Sequence, residues 1–389
     1  MDSTTRSLAA CALVLLGTAC HRAGTLDPAD VIARETGHRT PRLTGEERDR
    51  YLRQARLFDD VDPSRRDLLE GPPSPDGARF DAPLVCDFVE PSLERVPAAG
   101  TTPKFFCRLE GGDGTMVKVK YGRSNREIYG EVLASRLLWA VGVASDADYP
   151  VRMRCRGCPV EPWLAYRDFP RPDPSPRGLR TIDDAVVQRL YPGVVLQEHV
   201  DQGWSFDDLD AIDARAGGAP RAQVDAFRLL AAFIAHGDDK HENQRLVCPL
   251  EALDAAGRCR APRLLIADLG STFGRGANTL GFIDGGSRPT FAAWSTLPMW
   301  EDRGACRAHR AARETDGDPP VSEAGRRFLA ARLSALTPRQ IRDLFTAARI
   351  ERLGETTRDP DGRERPVTVE DWSVAFERRR AEIVEARCP

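Results

Sequence analysis

Several features that would settle a function at once are missing from this chain. The apolar run at residues 8–17 is too short to cross a bilayer as a helix, which takes about 20 residues. No long basic stripe is present: 56 basic and 59 acidic residues are interspersed and leave a net charge of −3, so nucleic acid is a poor default partner. The G-x-G-x-x-G phosphate fingerprint is absent. The C-x-x-C of Cys155 and Cys158 has neither a second pair nor suitably spaced histidines, which makes zinc the weaker reading.

What is present suits one large two-lobed domain with extras, or two domains: 389 residues with 41% hydrophobic content. Arg6 and the apolar run that follows have the make-up of a signal peptide. The run ends Leu16-Gly17-Thr18-Ala19-Cys20, and small residues before a cysteine are similar to a bacterial lipobox with Cys20 as the acylated residue. A cleaved signal with an incidental cysteine is the alternative. The expectation is an exported envelope lipoprotein, periplasm-facing or at the cell surface, attached to the membrane by an N-terminal lipid. The cysteines agree. Beyond the signal there are eight, Cys86, Cys107, Cys155, Cys158, Cys248, Cys259, Cys306 and Cys388, and an even number in an exported chain predicts disulfides. Cys248 and Cys259 flank a hairpin excursion, where a bridge is geometrically natural, and Cys155 and Cys158 are a second candidate pair.

In chain order, residues 1–20 are the signal and 21–101 read as a flexible lead-in, with a breaker cluster at 71–77 (GPPSPDG) and a short helix over 46–57. Order is expected from 102. Residues 104–109 (KFFCRL) and 115–121 (TMVKVKY) are strand-like around a Gly-rich turn. That turn is a loop over phosphates or simply a tight turn. In the second strand Lys118 and Lys120 share a face, because strand side chains alternate. A helix follows, with Ser124 or Asn125 as its cap and Gly142 as its end. Glu127 and Glu131 lie one turn apart on it, Glu131 closer to the apolar face. Residues 151–180, rich in Pro and Arg, read as a loop insertion. Residues 193–200 (GVVLQEHV) read as a buried strand.

The densest polar cluster is residues 235–247 (AHGDDKHENQRLV). His236, Asp238 and Asn243 have the spacing H-x-D-x-x-x-x-N, which resembles a kinase catalytic loop; in such a loop the Asp orients an attacking hydroxyl and accepts its proton while the Asn offers an amide oxygen to a hard cation. Downstream, residues 264–270 (LLIADLG) read as an apolar strand that ends in Asp268-x-Gly, similar to the place where a kinase carries its second metal ligand. Helices end the chain at 322–350 and 367–387, with Trp372, Phe376 and Ile383 as core.

The order strand-Lys, helix-Glu, strand, H-x-D-x-x-x-x-N, Asp-x-Gly resembles the plan of the protein-kinase-like superfamily. The loop Gly237-Asp238-Asp239-Lys240-His241-Glu242-Asn243 is similar to that of phosphatidylinositol 3- and 4-kinases, HipA-type bacterial kinases and secreted Golgi-casein-kinase relatives. The resemblance implies an α+β, two-lobed kinase-like fold: an antiparallel N-lobe with one helix over 102–200 and a mainly helical C-lobe over 201–389. It implies ATP with Mg²⁺ or Mn²⁺, an unknown hydroxyl acceptor, and Asp238 as the catalytic Asp beside His236. Asn243 and Asp268 would be metal ligands, Lys120 or Lys118 the phosphate lysine, Glu131 its partner, and the backbone at Glu198 to Val200 the adenine hinge. Asp239-Lys240 stands where the relatives carry Arg-His, which leaves Asp239 open as the base. An envelope-anchored pseudokinase or binding lipoprotein is the alternative.

Overall fold

The computed structural model describes residues 43–91, 102–112, 114, 116–167, 174–196, 202–274, 289–309 and 320–389. The fold is mixed α+β. Among the described residues, none of the helices is long and apolar enough to cross a membrane. Cys20, Glu198 and Val200 lie outside the described residues.

Five strands close a barrel: β1 (Pro83–Phe88), β2 (Lys104–Leu109), β3 (Met116–Tyr121), β4 (Ala147–Cys158) and β5 (Gly178–Arg189), in the order β1-β2-β3-β5-β4 with β1 and β4 parallel and the other pairs antiparallel. Alternation decides its two faces. Phe105, Cys107, Val117, Val119, Val151, Met153, Ala185 and Val187 are buried together in the barrel's own hydrophobic cluster. The opposite face carries Lys104, Lys118, Lys120, Asp148 and Gln188, since residues paired across strands share a face.

Helix α1 (Gly45–Arg53) precedes the barrel, and α2 (Glu127–Val141) follows β3. Asn125 does not cap α2; its amide donates to the carbonyls of Tyr121 and Pro103 at 3.3 and 3.4 Å. Gly142, at φ 85°, ends it, in the left-handed conformation that costs glycine least. A short helix, α3 (Pro162–Arg167), is inserted between β4 and β5. The chain leaves the barrel after Arg189 and enters β6 (Gly193–Val195), which joins β7 (Gln244–Pro249) and β8 (Arg263–Ile266) in a three-stranded sheet ordered β6-β7-β8.

The rest is largely helical: α4 (Arg221–Phe233), α5 (Phe291–Thr296), α6 (Glu323–Ser334), α7 (Pro338–Ala347) and α8 (Val369–Glu385), with β9 (Trp300–Asp302), β10 (Arg307–Ala308), β11 (Thr356–Arg358) and β12 (Glu364–Pro366) in two small ribbons. Thr337 and Thr368 close capping boxes at the starts of α7 and α8. One large core gathers α1, α2, α4 and the C-terminal helices, with Trp204, Trp294, Trp372 and Phe376 inside it.

Two expectations are corrected. The flexible lead-in does not extend over 43–91: Tyr51, Leu52, Leu57 and Phe58 are buried in the large core, and β1 closes the barrel. Its short alternating pattern is hidden in sequence by the prolines around it. Much of the Pro- and Arg-rich stretch is strand, not loop. In β4, Met153 and Cys155 face in while Arg152, Arg154 and Arg156 face out, and Arg156 pairs with Asp87 and Glu110 at 2.7 and 2.9 Å.

All eight cysteines of the described residues are bridged: Cys86–Cys107, Cys155–Cys158, Cys248–Cys259 and Cys306–Cys388. The two expected pairs are among them.

Candidate active site

The barrel's charged face meets α2 and the segment after β8. Lys120, 3% exposed, forms an ion pair with Glu131, which is fully enclosed. A second carboxylate, Glu127, stands 3.6 Å from the same ammonium and accepts a 2.7 Å hydrogen bond from the Thr102 hydroxyl. Burial alone would lower the Lys120 pKa, but Glu131, Asp268 and Glu127 outweigh it and raise it. Burial pushes the Glu131 carboxyl up, against the pull of Lys120.

The other lysines behave differently. Burial and the neighbouring Lys120 push the half-buried Lys118 down, and burial with Lys120 and Lys118 brings Lys104 to about 8. Burial would raise Asp268, but Lys120, Lys118 and the Gly270 N–H bring it down to about 2. Carboxylate neighbours thus favour the charged form of Lys120, and cationic neighbours that of Asp268.

Close backbone packing fixes Asp268 against α2. A Cβ on Gly130 would lie 2.9 Å from the Gly270 carbonyl oxygen, and one on Gly270 would lie 2.8 Å from Glu127 Cγ. The Thr272 hydroxyl bridges the two segments by donating to the carbonyls of Leu269 and Gly130 at 2.8 and 3.2 Å.

The loop after α4 is tied to the same segment. Gly237 N–H donates to the Ser271 carbonyl at 2.9 Å, Phe273 N–H to that of Ile234 at 2.7 Å, and Ala267 N–H to that of Asn243 at 3.1 Å. Ala235 and Phe273 sit at φ 50° and 55°. Left-handed backbone costs a non-glycine residue about 1 kcal/mol or more, and such positions concentrate at functional sites. The cross-strand pair Gln244–Ile266 brings Asn243 and Asp268 to neighbouring strand ends.

Within the loop, the Asn243 amide nitrogen donates to the Asp238 carbonyl at 3.2 Å. This leaves its amide oxygen as the outward group. The Asp238 carboxylate is partly exposed and lies 3.2 Å from Lys240 Nζ. Asp239 is buried, whereas the Asp238 carboxylate is about a third exposed. His236 is buried too, with Nε2 3.1 Å from the Gln244 amide nitrogen and its ring against Phe206. It ties the loop to β7.

Asn243 and Asp268 offer oxygen donors of the kind Mg²⁺ or Mn²⁺ takes. Among the described residues no group of three or more His, Cys, Asp and Glu stands together to hold a metal.

Sequence reasoning preferred Glu131 to Glu127 and passed over Asp146, Asp148 and Gln188. Asp146 forms an ion pair with Arg245 of β7, and Asp148, 1% exposed, accepts from the Gln188 amide at 3.4 Å. Two carboxylates two residues apart at an otherwise apolar strand start were the available signal. A separate cavity of about 380 Å³ lies behind α2, lined by Trp139, Tyr149, Tyr191 and Pro72 among others. Of the cleft's charged groups it touches Asp146 alone; Lys120, Glu131, Asp238 and Asp268 stand elsewhere.

No family model matches the chain, and no curated protein matches it. Among solved structures it is similar to a Helicobacter pylori proinflammatory kinase, CtkA, at 9% identity and a TM-score of 0.39, over 77% of this chain and 94% of that one.

Proposed function

We propose that the chain is a phosphotransferase of atypical kinase type that moves the γ-phosphoryl group of ATP to a hydroxyl acceptor. The barrel with α2 acts as the N-lobe and the helical part as the C-lobe. The observation that carries this reading is the buried Lys120–Glu131 pair set against Asp268, with the Asp238–Asn243 loop tied to the same segment. A merely structural ion pair needs no third carboxylate on a segment tied by three backbone hydrogen bonds to the stretch that carries the Asp–Asn turn.

In this reading Lys120, held in place by Glu131 and Glu127, grips the α- and β-phosphates. Asn243 and Asp268 would hold Mg²⁺ or Mn²⁺, which supplies neutralisation of the phosphate charge. Asp238 orients the acceptor hydroxyl and takes its proton. Lys240 reaches the same place and can meet charge on the transferred group. Positioning and charge stabilisation account for most of the rate in such transfers. Four disulfides in the described residues support an oxidising compartment, and with the Cys20 motif an envelope lipoprotein. One observation favours the alternative, a binding protein without catalysis: the Asp238 carboxylate is engaged by Lys240.

The test is incubation of pure protein with γ-labelled ATP, Mn²⁺ and envelope fractions. Label should appear on an acceptor with the wild type and vanish with Asp238→Ala, while ATP still shifts the melting of both. Equal transfer by the variant would remove Asp238 from its role, and binding without transfer by either would favour the binding protein.

A further inference from the structure

The charged face of the barrel carries more polar groups than phosphate binding uses. Lys118, Gln188 and Asp148 form one row across β3, β5 and β4, because Lys118 pairs with Gln188 and Gln188 with Asp148 in the strand register. The row lies two residue pairs along from the Lys120–Val186 row, and so on the same face, on the side towards residues 190–192, where the chain crosses from the barrel to the three-stranded sheet. A nucleotide with its phosphates at Lys120 and Asp268 and its base towards this crossover would lay the base beside the row.

The chemistry of the row is specific. Lys118 is half-buried and makes no side-chain hydrogen bond among the described residues; its electrostatic neighbours are Lys120, Glu131, Asp268 and Asp146. Gln188, 3% exposed, donates its amide N–H to Asp148, which leaves the amide oxygen as an acceptor. Behind it, Asp148 Oδ2 is enclosed and has no hydrogen-bond partner among the described residues. Buried polar atoms are rarely left unmatched, so a row this deep is suited to a ligand that brings polar edges.

We infer that the Lys118–Gln188–Asp148 row reads the base and admits a 6-oxopurine, so that the site takes GTP at least as well as ATP. This rests on the nucleotide reading above. A guanine presents O6 and N7 as acceptors to a cation, the commonest specific contact of lysine and arginine with that base, and its N1–H suits the Gln188 oxygen. Adenine presents the reverse order, with its 6-amino donor facing the Lys118 ammonium. A charge-assisted hydrogen bond of this kind changes affinity by about tenfold.

The experiment is calorimetric titration of the full chain with GTP and with ATP, each with Mn²⁺, for the wild type, Lys118→Met and Gln188→Leu, after circular dichroism shows that both variants fold. The expected result is GTP binding equal to or tighter than ATP in the wild type, with the GTP-to-ATP affinity ratio falling about tenfold or more in Lys118→Met and in the same direction in Gln188→Leu. Wild-type GTP binding more than about tenfold weaker than ATP overturns the inference and leaves the kinase reading standing. Equal weakening of both nucleotides in Lys118→Met also overturns it, and makes Lys118 a phosphate contact. Binding of neither nucleotide by the wild type removes the kinase reading, and the inference with it.

Discussion

Glu131→Gln tests the centre of the cleft. The substitution keeps shape and a hydrogen-bond acceptor but removes the charge from the enclosed partner of Lys120. Breaking a buried pair by removing one partner costs about 3–5 kcal/mol, because the other charge is left buried. The lower end applies here, since Glu127 remains 3.6 Å from the ammonium and Asp268 still faces it. For 389 residues, an unfolding entropy of about 2 cal/mol/K per residue gives about 0.8 kcal/mol/K. A loss of about 3 kcal/mol then lowers the midpoint by roughly 4 °C. Phosphoryl transfer should fall further, by about a hundredfold, because a misplaced lysine spoils alignment of the phosphates. The assays are calorimetric melting and initial rates with ATP and Mn²⁺. A double-mutant cycle with Lys120→Met isolates the pair and should give about 2–3 kcal/mol of coupling. Additivity within about 0.5 kcal/mol, together with an unchanged ATP affinity in Glu131→Gln, would refute the reasoning.

Gly130→Ala should lower transfer even though alanine favours a helix interior by about 1 kcal/mol, because its Cβ would press on the Gly270 carbonyl and move Asp268; initial rates and a melt check both halves. Asp268 predicts an acid limb: its folded pKa of about 2 lies below the unfolded value, so its contribution to stability is present above pH ~4 and lost as the pH falls through ~2. Asp268→Asn should flatten that part of the stability-versus-pH curve. Cys388→Ser opens the loop to Cys306, 82 residues away, and chain entropy alone predicts a loss of up to about 4.5 kcal/mol, read as a lower denaturation midpoint.

How much of this was legible in the sequence depends on where the determinants lie. The α2 helix, the β7–β8 hairpin, the Asp238–Asn243 turn and Asp268 are local: periodicity, a glycine stop and short spacings specify them. The expected pairing of a strand lysine with Glu131 could be stated, but Lys118 and Lys120 alternate with the same valines, and only packing against α2 separates them. β1 pairs with the next strand β2 and, in parallel, with the more distant β4, and its short pattern among prolines carries little signal. β4 was obscured because its outward positions are arginines, which read as loop until the acidic partners Asp87 and Glu110 are in place. The sequence prefers Glu131 to Glu127 because the 268–270 segment that packs on Glu127 is more than a hundred residues away in sequence.

The most direct measurement is titration of ATP with Mn²⁺ into the wild type and Asp268→Asn, followed by calorimetry. The account predicts saturable one-to-one binding by the wild type that weakens sharply in the variant and depends on the cation. Absence of wild-type binding, or binding of equal strength in Asp268→Asn, would contradict it.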